Sequence, residues 1–129
     1  AKSRGRVAEA TEHLRERLRL QLALGDEAGT AETHFGLGTI SFSSGDLPAA
    51  ESSFEAALQV AERMTDFRAA ASALEGLAFV MHERGLRSRC ATYLDSANAL
   101  REEHGLAPDP VFRSLAAVRE EYDRAAKPR

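Results

Sequence analysis

Four histidines, one cysteine, a group of serines and a Gly-Leu-Gly step are the residues of this 129-residue chain whose types could carry chemistry. His13, His34, His82 and His104 would ligate a metal if two shared a helix face. None stand at i, i+4, no HExxH motif occurs, and His82-Glu83 and Glu103-His104 are adjacent pairs that point apart on a helix. Gly36-Leu37-Gly38 begins like a dinucleotide loop, but Ser41 replaces the third glycine and no strand pattern precedes it. Ser41, Ser43, Ser44, Ser52 and Ser53 lack a nucleophile elbow. Cys90 has no base placed beside it by the sequence and fits a small buried apolar residue. No catalytic residue, metal ligand or cofactor is expected.

The elements that carry these residues are helices. Ala, Leu, Glu and Arg dominate, and β-branched and aromatic residues are scarce, with six Phe, two Tyr and no Trp. An apolar fraction of 43% suits one globular domain, and the fold class reads as all-α. No apolar run approaches the ~20 residues that span a bilayer. The start, AKSRGRVAEA, lacks the apolar core of a signal peptide. A lone cysteine permits no internal disulfide, so a cytoplasmic setting is expected. A net charge of −3 weighs against direct contact with a nucleic-acid backbone. The charge is uneven: residues 2–19 carry six cations against three carboxylates, whereas residues 25–65 carry seven carboxylates against Arg63 alone. Such blocks are ordinary solvated faces or steer an oriented partner or a second copy of the chain.

A repeat organises the helices. Gly5, Gly45 and Gly85 are spaced by forty residues, and their surroundings keep phase. Ala10, Ala50 and Cys90 correspond, as do Gly36-Leu37-Gly38 and Gly76-Leu77-Ala78, and Leu24-Gly25-Asp26 answers Met64-Thr65-Asp66. Gly45 suits the left-handed backbone that ends a helix, Asp46 caps the next one, and Pro48 fits its first turn. Ala50, Phe54, Ala57, Leu58 and Ala61 then share one helical face. The unit is a helix hairpin with small residues where backbones approach and Phe54 and Leu37 between them.

This seam resembles the tetratricopeptide repeat. The family's Leu-Gly pair matches Leu37-Gly38, its Gly-Asp turn matches Gly45-Asp46, and its Ala…Phe…Ala series matches Ala50, Phe54 and Ala57. A degenerate second copy has Leu77-Ala78, Gly85, Cys90, Leu94 and Ala97. The family's large first-helix aromatic is His34 here and Leu74 one unit later, and the period is forty against about 34. The longer period is similar to variants in bacterial signalling ATPases and LuxR-type transcription regulators.

The resemblance implies a right-handed α-solenoid of antiparallel hairpins forming one domain, residues 1–129, with about six helices. They are expected at 5–23, 28–44, 47–64, 67–84, 87–104 and 109–125, the first as half of a preceding unit hinged at Gly5. The last is half of a following unit or a cap. It further implies a protein-interaction or effector-sensing module in a bacterial transcriptional or signalling regulator, holding a protein, a peptide or a small effector in a concave groove. Carried across, the groove positions are Phe35, Thr39, Phe42, Glu75, Phe79 and His82, with Arg119 and Tyr122 from the last helix. They would suit an apolar anchor beside a basic or polar group. The bland reading is that Phe35 and Phe79 pack between neighbouring helices. The alternative function is homodimerisation through the terminal helices.

Overall fold

A computed structural model describes residues 2–107 together with residues 120 and 124. Five helices occupy residues 2–107: α1 (Lys2–Leu24), α2 (Glu27–Ser43), α3 (Leu47–Arg63), α4 (Phe67–Glu83) and α5 (Arg87–His104). Every described element is helical. Observed limits fall within a residue of the expected ones for α2 to α5. The expected helix at 109–125 lies outside the described residues, apart from Glu120 and Arg124, both helical.

The punctuation is tighter than the forty-residue glycine spacing suggests. Left-handed residues occur every twenty positions, at Gly25, Gly45, Thr65, Gly85 and Gly105, with φ between 55° and 84°. At each, the following N–H reaches back to a carbonyl five residues earlier, as in Asp26 to Gln21 and Asp46 to Ser41, both 2.9 Å. This bond satisfies a carbonyl that the helix end would leave unpaired. Three aspartates then cap the next helix, Asp26, Asp46 and Asp66 accepting from the N–H groups of Gly29, Ala49 and Ala69. Leu86 takes the fourth place without a side-chain cap bond.

Gly5 does not form a hinge. Helix α1 runs from Lys2 through it, and the expected stop is absent. One glycine inside a helix costs only about 1 kcal/mol, so the residue is carried within α1.

Short connections force each helix to turn back on its neighbour. α1 packs on α2, α2 on α3, α3 on α4 and α4 on α5, and α2 also meets α4. Helix α4 is therefore enclosed by three others and buries Ala70, Ala71, Ala73, Leu74, Glu75, Gly76, Leu77, Ala78, Val80 and Met81. Ala50, Phe54 and Ala57 of α3 and Cys90, Leu94 and Ala97 of α5 are buried, as the apolar periodicity predicts. Phe54 is 2% exposed and sits between two glycines. A Cβ placed on Gly38 or Gly76 would come within 2.8 or 2.7 Å of its ring. The glycines serve helix packing: they admit a ring whose burial contributes about 1.5–3 kcal/mol.

Candidate functional site: two clefts one repeat apart

The ends of α1, α3 and their following turns leave two open clefts, and both are built the same way. The proximal cleft, about 410 Å³, is lined by Gln21 and Leu22 of α1, Gly25 and Asp26 of the turn, Glu27, Thr30 and His34 of α2, and Ala56, Gln59, Val60 and Arg63 of α3. The distal cleft, about 430 Å³, is lined by Leu58, Ala61 and Glu62 of α3, Thr65 and Asp66 of the turn, Phe67, Ala70 and Leu74 of α4, and Ser96 and Leu100 of α5. Subtracting forty from each distal residue returns a proximal one in nine of ten cases, Leu58 being the exception. The cleft is thus a product of the repeat itself: wherever one hairpin turns into the next, the same three helix segments diverge.

Their chemistry differs. Gln21, Glu27, Thr30 and His34 in the proximal cleft become Ala61, Phe67, Ala70 and Leu74 in the distal one. Several of the proximal polar groups have partners. Thr33 donates its hydroxyl to the Gln21 side-chain oxygen at 2.7 Å, both residues buried. Thr30 donates to the Glu27 carbonyl at 2.7 Å, and Arg63 lies 3.4 Å from the Glu27 carboxylate at the exposed mouth. Burial pushes the His34 imidazole below its ordinary pKa, because the charged form loses solvation there. In the distal cleft Phe67 is 37% exposed, and its ring stacks on that of His104 at 3.7 Å and 8°. Thr65 holds φ 55° where the equivalent turns use glycine, a strained position for a β-branched residue.

None of the six described groove candidates lines either cleft. Phe35 meets Phe54 edge-on at 5.5 Å, and Phe42 meets Phe79 at 5.5 Å, joining α2 to α4. All three candidate rings are partly buried against the core. Thr39 donates its hydroxyl to the Phe35 carbonyl at 3.0 Å, and His82 is half-buried on α4. Arg119 and Tyr122 lie outside the described residues.

Glu75 is buried rather than offered to solvent. Both its oxygens accept from the Arg101 guanidinium, at 2.6 and 3.1 Å, in a bidentate pair. Arg101 also donates to the Ala107 carbonyl at 2.8 Å and to the Ser72 hydroxyl at 3.3 Å. This one side chain ties α4, α5 and the segment after α5. Sequence reasoning missed Arg101, though a signal existed. Cys90, Leu94, Ala97 and Arg101 continue one helical stripe, and a cation on an apolar stripe requires a buried partner.

The described residues hold no group of three or more His, Cys, Asp or Glu side chains placed to bind a metal. No described helix is long and apolar enough to cross a membrane. Compared with known proteins, the chain matches no family model, no curated protein and no solved structure.

Proposed function

We propose that the chain is a tetratricopeptide-like recognition module, a non-enzymatic right-handed α-solenoid whose hairpins hold side chains for a partner, serving within a bacterial transcriptional or signalling regulator. The observation that carries this reading is the recurrence of one cleft at a forty-residue offset with its lining replaced. A constant frame with a variable lining is how repeat arrays diversify what they bind. The sequential packing of α1 through α5 supports the stacked arrangement. The Gly-Asp turns and the Ala50, Phe54, Ala57 seam support the family resemblance.

A second reading is self-assembly through the terminal helices. It draws on Leu20 and Leu24, which lie one turn apart on α1 and are 49% and 82% exposed. Light scattering over a range of concentrations separates the two. The recognition module stays monomeric throughout, whereas a mass that doubles as concentration rises favours assembly.

A further inference from the structure

We propose that the distal cleft receives a large aliphatic or aromatic side chain of a partner peptide that carries arginine or lysine beside that anchor. The proposal deepens the recognition reading and rests on it. The floor of the cleft is Leu58, Ala61, Ala70, Leu74 and Leu100, an apolar concavity of about 430 Å³. That is room for one side chain with its neighbouring backbone, and apolar pockets of this kind anchor peptides.

The rim supplies the charge preference. Among the described lining residues the charged groups are Glu62 and Asp66, both acidic. The nearest cation in sequence, Arg63, directs its guanidinium to Glu27 on the proximal side. The surrounding segment, residues 25–65, is itself strongly acidic. A basic residue beside the anchor therefore gains from the local field, and an acidic one is repelled. Phe67, 37% exposed with one ring face stacked on His104, adds apolar surface at the rim that the chain leaves wet.

The test is a nuclear magnetic resonance titration of the full chain with synthetic octapeptides, acetylated and amidated, of Gly and Ser around one central triplet. The Arg-Leu-Arg peptide is expected to give saturable shifts at the amides of Leu58, Phe67, Leu74 and Leu100. Replacing the central Leu by Ala should weaken binding about tenfold or more. Glu-Leu-Glu should bind several-fold more weakly, with the gap narrowing as salt is raised. The exposed change Glu62→Gln should reduce the preference for arginine while leaving the chain folded, and Phe67→Ala should weaken every peptide. Shifts centred on Thr39 and His82 would overturn the cleft assignment and leave the recognition reading standing. Equal binding of the arginine and glutamate peptides, or no saturable shift with any of them, would overturn it as well. The scattering experiment judges the broader reading separately.

Discussion

The proximal and distal clefts share a frame and differ in almost everything that frame presents. Each is bounded by the end of one helix, a left-handed turn, the first turns of the next helix and the second half of a third. Yet Gln21, Thr30 and His34 line one where Ala61, Ala70 and Leu74 line the other. The interior reverses the assignment. At the position where the first unit packs Phe35 against Phe54, the second places Glu75 and pairs it with Arg101. Backbone geometry is therefore set by glycines, aspartate caps and small residues, whereas side chains at the clefts and seams are exchanged between units. Architecture and surface chemistry vary independently here.

The largest effect that would sharpen this contrast comes from the ion pair, which the first unit lacks at that position. Arg101→Ala strands a buried carboxylate and should cost about 3–5 kcal/mol in denaturant unfolding. Replacing both partners, Glu75→Leu with Arg101→Met, should recover most of that loss, since a packed apolar pair substitutes for an ionic one. A double variant as unstable as the single would show that the pair has no apolar equivalent and that the two units differ in more than side chains.

Next in size is a matched pair of glycines. Gly76→Ala presses a methyl group into the Phe54 ring and should destabilise by about 1–3 kcal/mol. A Cβ placed on its counterpart Gly36 would meet Leu14 Cδ1 at 3.4 Å, ordinary contact with the end of a half-buried side chain on α1. Gly36→Ala should be neutral or stabilising by up to about 1 kcal/mol through helix propensity. Thermal melts that rank the two the other way would contradict the account of Phe54 as a ring held between glycines.

Much of this frame was legible in the sequence. Gly45-Asp46 reads as stop and cap from local chemistry alone, and Ala50, Phe54 and Ala57 declare a buried face by their spacing. The clefts were not legible, because a cleft depends on how far three separate helices diverge, and periodicity within one helix carries no such distance. The groove candidates show the same limit. Phe35, Phe42 and Phe79 were recognisable as contact residues, but whether a ring meets a partner or the next helix depends on the neighbour's position. Gly5 misled for a different reason. It keeps the forty-residue phase, yet α1 runs through it, so phase alone does not end a helix. Thr65 shows the converse, since the turn position persists after its glycine has gone.

That threonine provides a third comparison. Thr65→Gly restores the residue found at the other four turns and should raise stability by about 1 kcal/mol by relieving the left-handed backbone. An unchanged or lowered melting temperature would mean that Thr65 makes a compensating contact in the distal cleft.

The smallest effect concerns His34. Its folded-state pKa lies below the ordinary value of about 6.5, so the folded chain binds its proton less readily than the unfolded chain. The resulting stability is fully present above that ordinary value and is lost as pH falls toward the lowered folded pKa. His34→Leu, the residue of the distal cleft, should therefore flatten the decline of melting temperature below about pH 6.5 relative to the parent. Parallel profiles for the two proteins would contradict the burial of a neutral imidazole in the proximal cleft.

The most direct measurement transplants one lining into the other frame. Gln21→Ala, Leu22→Glu, Glu27→Phe, Thr30→Ala, Thr33→Ala and His34→Leu, with Ala56→Ser, Val60→Leu and Arg63→Glu on α3, give the three walls of the proximal cleft the residues found forty positions on and remove the cation that Glu27 pairs. Calorimetric titration with the Arg-Leu-Arg peptide then reads stoichiometry. The account predicts one peptide per parent chain and two per variant chain, with the variant still unfolding cooperatively. A folded variant that continues to bind a single peptide, or a variant that no longer folds, would contradict the claim that one frame is used twice.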